Sequence, residues 1–116
     1  MTTSKNIPPH AMPLLGALAA LAYTMASAST ASADASAKLK AYGKHLSSEC
    51  TTCHRIDGSD NGIPPIIGWP SEAFVAVLVS YRDGERTNQA MVSVAKSLDE
   101  QQMEALASYF GSIEPK

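Results

Sequence analysis

The stretch Cys50-Thr51-Thr52-Cys53-His54 decides how this 116-residue chain folds. Two thiols three positions apart on one helical turn can both reach the vinyl groups on one side of a haem and form thioether bonds. The imidazole of His54 follows directly, which suits it to be the proximal axial ligand of the iron. The Cys-x-x-Cys-His pattern is the attachment signature of c-type haem, so the sequence predicts one covalently bound haem c.

Two other kinds of site share part of this pattern. A thiol-disulfide oxidoreductase using Cys50 and Cys53 is expected in a βαβ context, and residues 40–65 show no parallel-strand pattern. A zinc site needs two further Cys or His ligands, and His45 is the one histidine left after residue 33 besides His54. His45 is also too close to Cys50 to reach the opposite haem face, so we expect it at the surface.

The second axial ligand is sought among the methionines of residues 34–116, which are Met91 and Met103. Met103 has Leu106 and Phe110 at helical spacing, which is typical of a core residue. Met91 follows the polar segment 84–90, where an extended loop could present the sulfur to the iron. The sequence therefore favours Met91 as the ligand, and the alternative is that Met91 fills the core beneath that loop.

The first third of the chain has the pattern of an export signal. Lys5 precedes the apolar run 14–26, which is shorter than the ~20 residues that span a bilayer. The small residues of Ala31-Ser32-Ala33 suit a signal peptidase. We expect residues 1–33 to be removed after Ala33, leaving a periplasmic domain of residues 34–116 with no stable membrane insertion. An uncleaved membrane anchor is the alternative.

Composition limits the remaining function classes. The formal net charge is −2, which does not fit a strongly basic nucleic-acid-binding protein. No nucleic acid is therefore expected as a partner. A domain as small as residues 34–116 is often marginal without a disulfide, metal or cofactor. A disulfide between Cys50 and Cys53 would close a very short loop and constrain little. The haem predicted from the motif would supply the additional stabilisation that such a small domain needs.

The pattern after residue 34 predicts an all-α fold with about three main helices wrapped around one haem. No segment shows sustained period-two alternation with β-branched residues. Gly43 leaves room for another helix to approach the first one closely, and Ser97 with Glu100 forms a capping-box pattern at the start of the third. The predicted helices span residues 36–49, 71–82 and 97–112.

The segment 57–70 is rich in glycine and proline, which excludes regular structure over most of its length. Its apolar side chains need a dry surface, and a flat haem would provide one. Trp69 suits either ordinary core packing or a haem contact. Further along, Arg82 or Arg86 could pair with a haem propionate, or both could belong to a solvated turn.

Residues 34–116 resemble the class I c-type cytochromes of bacteria. The run Pro64-Pro65-Ile66-Ile67-Gly68 is similar to the Pro-x-Leu-x-Gly segment of that family, with Ile66 in place of leucine. The resemblance implies that the Pro64 carbonyl accepts the ring N–H of His54. The segment 81–88 is similar to the one before the family's axial methionine, which implies that Met91 is the ligand.

The loop residues resemble one subgroup of that family. Gly62-Ile63-Pro64 and Gly68-Trp69-Pro70 look most like the haem subunit of flavocytochrome c sulfide dehydrogenases. This likeness implies an electron-transfer protein that is not an enzyme by itself. It would accept electrons from an FAD-containing subunit, and that subunit would oxidise sulfide. The alternative is a free soluble carrier between other redox proteins. The single Cys-x-x-Cys-His motif predicts one haem in either case.

Overall fold

The computed structural model describes the backbone of residues 15–116 and the side chains from Thr30 onward. Within that range the chain is helical, with five helices and no strands, which confirms the predicted all-α class. A short helix carries the first cysteine of the motif, and longer helices precede and follow it in the chain. The bounds are α1 (Leu15–Leu46), α2 (Ser48–Thr51), α3 (Ser71–Arg82), α4 (Gln89–Ser97) and α5 (Glu100–Gly111).

The chain divides into two compact units, residues 1–33 and 34–116. Residues 1–14, which hold the start of the predicted export signal, lie outside the described residues. Among residues 15–116, no helix has both the length and the hydropathy needed to cross a membrane. The second unit contains the Cys-x-x-Cys-His motif and is described from here on.

The predicted helix 71–82 is confirmed as α3, and its C-terminus shows why it stops there. The N–H of Gly84 donates to the carbonyl of Tyr81 at 3.3 Å, and the N–H of Glu85 donates to that of Ser80 at 2.9 Å. This pair of bonds is a Schellman motif, which needs a left-handed residue between helix and loop. Gly84 supplies it, with φ of 84°.

Two predictions about helix boundaries were wrong because α4 was not foreseen. The polar segment 84–90 was expected as an extended loop that leads to Met91, whereas residues 89–97 form a helix. Since Ser97 ends that helix, with its Oγ donating to the Val94 carbonyl at 2.7 Å, it is not free to cap the next one. The capping box of α5 instead pairs Asp99 with Gln102, through side-chain bonds of 2.8 and 2.9 Å. The Ser-x-x-Glu and Asp-x-x-Gln patterns overlap in sequence, and the end of α4 selects the second.

The core lies between α3 and α5. The rings of Phe74 and Phe110 stack with centroids 5.8 Å apart, and Met103 and Leu106 are fully buried beside them. Met103 is therefore a core residue, as its helical spacing predicted. Ala95 of α4 is also completely buried, which fixes that helix against the same core.

The crossing of α1 and α5 depends on Gly43. A Cβ atom at this position would overlap the carbonyl oxygen of Ala105 and would lie 2.9 Å from the Cβ of Tyr109. The close approach that Gly43 was predicted to permit is therefore confirmed. The motif follows shortly after this crossing, since α1 ends at Leu46 and α2 begins at Ser48.

Candidate haem site

A predominantly apolar cavity of about 350 Å³ lies beside the motif. Its wall is built from the motif, the loop 57–70, α3, the segment 83–88 that follows it, α4 and α5. The loop contributes Ile63, Pro64, Ile66 and Trp69, and α3 contributes Phe74, Val77, Leu78 and Tyr81. The five residues singled out from the sequence all line this cavity: Cys50, Cys53, His54, Pro64 and Met91.

The backbone of the motif continues the turn that α2 begins. The N–H groups of Cys53 and His54 both donate to the carbonyl of Cys50, at 3.2 and 2.9 Å. This helical spacing brings both cysteines to the cavity wall. His54 is almost buried, with 9% of its surface exposed, so its ring is held rather than free in solvent.

A hydrogen bond to the loop fixes the ring of His54. Its Nδ1 donates to the carbonyl oxygen of Pro64 at 2.7 Å. A carbonyl can only accept, so this contact places the ring proton on Nδ1 and leaves the lone pair of Nε2 available. That is the tautomer in which a histidine can bind a metal through Nε2.

Local turns hold the loop that supplies this carbonyl. Asp57 accepts bonds from the N–H and the hydroxyl of Ser59, at 3.0 and 2.7 Å, and Asp60 accepts from the N–H of Gly62 at 2.8 Å. The guanidinium of Arg55, together with the Ser59 donors, holds the pKa of the Asp57 carboxyl well below its usual range. The first half of the loop is therefore ordered by its own polar groups.

The second half of the loop is fixed by the core. Ile67 is buried, and the N–H of Gly68 donates to the carbonyl of Phe110 at 2.9 Å. Trp69 lies edge-on to Phe74, with ring centroids 6.5 Å apart, and also lines the cavity. Trp69 therefore packs on the core and also forms part of the cavity wall, and its contact with a haem stays a prediction.

Met91 reaches the cavity from a helix, which corrects the expected loop. It lies in the first turn of α4, where the side chain of Asn88 accepts a hydrogen bond from its N–H at 3.2 Å. The side chain of Met91 is half-buried, borders the core and lines the cavity. The sequence offered a signal for this helix, because Met91, Val94, Ala95 and Leu98 have helical spacing after a capping asparagine.

The other candidate ligands lie elsewhere. His45 is exposed on α1, and Met103 is buried in the core. Among the residues that the structure describes, no group of three or more His, Cys, Asp or Glu side chains could hold a metal ion.

The two arginines differ in position. Arg82 pairs with its neighbour Asp83, at 3.3 Å between Nε and Oδ1. Arg86 lines the cavity and lies over the ring of Tyr81, 5.7 Å from its centroid. Of the two, Arg86 is the cation placed to meet an anionic group at the edge of the cavity.

The thiol of Cys50 is poorly suited to redox exchange. Burial, with a smaller contribution from the charge of Glu49, raises the pKa of Cys50 to about 11. The thiolate is the nucleophile in thiol-disulfide exchange, and reactive cysteines have a lowered pKa. The environment of Cys50 thus opposes the thiol-disulfide alternative.

The cavity residues suit a haem group. Apolar side chains match the face of a porphyrin, and two thiols stand beside it for covalent attachment. An imidazole nitrogen and a thioether sulfur are both established axial ligands of haem iron. The residues that would hold haem c are Cys50 and Cys53 by thioether bonds, with His54 and Met91 toward the iron.

Comparisons with known proteins agree with this chemistry. The family model described as Cytochrome c matches residues 40–114. The cytochrome subunit of sulfide dehydrogenase from Chlorobaculum tepidum is 33% identical over 75 residues, covering 64% of this chain and 68% of that protein. Cytochrome c-553 from Desulfomicrobium norvegicum is 33% identical over 68 residues, 55% of this chain and 85% of that protein.

A third relative is longer. The thiosulfate dehydrogenase electron acceptor of Thiomonas intermedia is 35% identical over 69 residues. That match covers 57% of this chain and 32% of the relative, so it concerns about a third of that protein.

Proposed function

The chain belongs to the cytochrome c family, and we propose that it transfers single electrons through one haem c whose axial ligands are His54 and Met91. It is an electron-transfer protein rather than an enzyme. The observation that carries the proposed ligand pair is that an imidazole with its proton on Nδ1 and a methionine thioether line the same apolar cavity.

When bound, haem c supplies an iron that takes up and releases one electron. His54 and Met91 would both hold the iron, and with both bound no position would remain open for oxygen or a substrate. The carbonyl of Pro64 keeps the His54 ring in its binding orientation and makes Nε2 more basic. A thioether ligand and an apolar wall both favour the reduced state. Arg86, at the cavity edge, is the proposed partner of a haem propionate.

The proposed ligand pair is tested with two matched substitutions in the haem-loaded protein. Met91→Leu removes the thioether at the cavity, so the iron becomes five-coordinate or binds water, and the visible spectrum changes from low spin. Met103→Leu removes the same group from the core and keeps the spectrum, since such a volume-conserving change usually costs less than ~1.5 kcal/mol. An unchanged low-spin spectrum for Met91→Leu would transfer the ligand role to another residue.

The proposed place of action is the periplasm, after removal of residues 1–33. The electron donor that we propose is an FAD-containing sulfide dehydrogenase subunit. The name of the Chlorobaculum relative and the loop residues 62–70 support this donor. The name of the Thiomonas relative, an electron acceptor of thiosulfate dehydrogenase, supports the alternative, a free carrier that serves a different redox protein.

Co-purification from the native source separates these two roles. A sulfide dehydrogenase subunit is expected to elute with a flavoprotein at a constant flavin-to-haem ratio through successive columns. A free carrier elutes alone, at the size of a small monomer. Reduction of the purified cytochrome by sulfide, with and without the flavoprotein fraction, then tests whether sulfide is the source of electrons.

A further inference from the structure

We propose that Asn88 is a positioning residue that keeps the Met91 thioether in the cavity and so determines how easily an external ligand displaces it. The inference rests on the proposed ligand role of Met91. It concerns how strongly this chain holds the Met91 thioether in place. Membership of the family does not specify that strength.

The contact that supports this role involves the two residues directly. Asn88 is the N-cap of α4, in an extended backbone conformation with φ of −61° and ψ of 114°. Its Oδ1 accepts the N–H of Met91 at 3.2 Å, and its own carbonyl accepts the N–H of Val92 at 2.9 Å. The cap therefore binds the backbone of the proposed ligand itself, and both residues line the cavity.

The position of Met91 in the helix makes this bond important. The first turn of a helix has N–H groups without intrahelical acceptors, and it frays when no side chain satisfies them. Farther along α4, Ala95 is completely buried and anchors the helix. The segment 83–90 is exposed and contributes little burial at the other end. Loss of the Asn88 bond is thus expected to loosen the turn that carries Met91 while the rest of α4 stays in place.

The chain contains a matched control for this bond. Asp99 caps α5 in the same way, with its side chain accepting the N–H of Gln102 at 2.8 Å. Asp99 does not line the cavity. Removing either cap costs a similar amount of helix stability, but only Asn88 is connected to the proposed ligand.

The test is a titration of the ferric, haem-loaded protein with imidazole, in which the visible spectrum reports imidazole binding. Asn88→Ala is expected to raise the apparent affinity for imidazole about fivefold, the factor in an equilibrium constant that loss of a typical helix cap produces. Asn88→Asp, which keeps a capping oxygen, restores the original affinity. Asp99→Ala lowers the thermal midpoint but leaves the affinity for imidazole unchanged.

The outcomes distinguish failure of this inference from failure of the ligand assignment. The inference is overturned if Asp99→Ala raises the affinity as much as Asn88→Ala, because general destabilisation then explains both. It is also overturned if Asn88→Ala has no effect while Met91→Leu binds imidazole more tightly. If Met91→Leu itself leaves the affinity unchanged, Met91 is not the ligand, and the proposed function fails with it.

Discussion

The Nδ1 of His54 and the carbonyl oxygen of Pro64 lie 2.7 Å apart, which ties the motif histidine to a loop ten residues farther along the chain. This bond sets the tautomer of the ring and, with it, which nitrogen faces the cavity. The loop thus has two tasks, because it forms a wall of the cavity and also fixes the histidine.

We therefore expect Pro64→Gly to loosen the histidine while keeping the carbonyl group. Glycine lacks the fixed φ of proline, so the variant should lose about 1 kcal/mol of stability, chiefly through the unfolded chain. A weaker hydrogen bond from Nδ1 of His54 to the carbonyl of residue 64 makes Nε2 less basic and favours ferrous iron. The reduction potential should therefore rise. Potentiometric titration and urea unfolding measure both effects. Pro65→Gly is the control, since a similar loss of stability with no change in potential is expected there.

Gly43→Ala tests the crossing of α1 and α5. In an exposed helix this change would stabilise the protein by up to about 1 kcal/mol, because alanine is the better helix former. Here the added Cβ would overlap the Ala105 carbonyl, so we expect a loss of roughly 1–3 kcal/mol instead. Thermal unfolding of the haem-loaded protein shows whether the substitution stabilises or destabilises it. Lys44→Ala, at the exposed neighbouring position, should stay within about 0.5 kcal/mol of the original protein. A more stable Gly43→Ala variant would contradict the crossing.

Alkylation of the unfolded, matured protein tests the state of the cysteines. Thioether bonds leave no thiol at Cys50 or Cys53, so iodoacetamide should label neither residue at any pH. In a folded protein with free thiols, Cys50 would react only slowly at pH 8. Its pKa is raised to about 11, so the reactive thiolate would form, and labelling would accelerate, as the pH rises toward that value. Labelled Cys50 in matured protein would favour the thiol-disulfide alternative.

The mass of the protein isolated from the native compartment tests the export signal. We expect the mass of residues 34–116 plus one haem, with Asp34 at the N-terminus. Ala33→Lys should block removal of the signal, because the peptidase requires small side chains at the positions that Ala31 and Ala33 occupy. Ser32→Lys is the control, since the position between them tolerates larger residues. A mature chain that retains residues 1–33 would support a membrane anchor instead.

The acid response of the loop follows from Asp57. The pKa of this carboxyl is lowered in the folded protein, chiefly by Arg55. The ionised Asp57 therefore stabilises the folded protein above the ordinary pKa of an aspartate, and this stabilisation disappears as the pH falls toward the folded pKa. Asp57→Asn should therefore destabilise the protein slightly at pH 7 and have a smaller effect in strong acid. The side chain is exposed, so the change should be small. Asp60→Asn, assayed by the same pH series of thermal unfolding, provides a comparison within the loop.

The local patterns of the sequence determined the helical class, the bounds of α3 and the haem c motif that contains Cys50, Cys53 and His54. Each of these features depends on residues that are close in the chain. Examples are the two cysteines and the histidine of the motif, and Gly84, which ends α3. The Met103 periodicity likewise identified a core residue, since helical spacing shows which side chains share a face.

Tertiary structure decided what depends on contacts between distant segments. Two capping patterns overlap near residue 99, and only the presence of α4 selects Asp99 over Ser97. Met91 was expected on a loop, yet it lies on a helix, because burial of Ala95 against the core stabilises a segment whose start is polar. The placement of Arg86 at the cavity also depends on packing, because the other residues that line this cavity come from distant parts of the chain. Sequence patterns report local preferences, whereas packing against other segments determines which of them is realised.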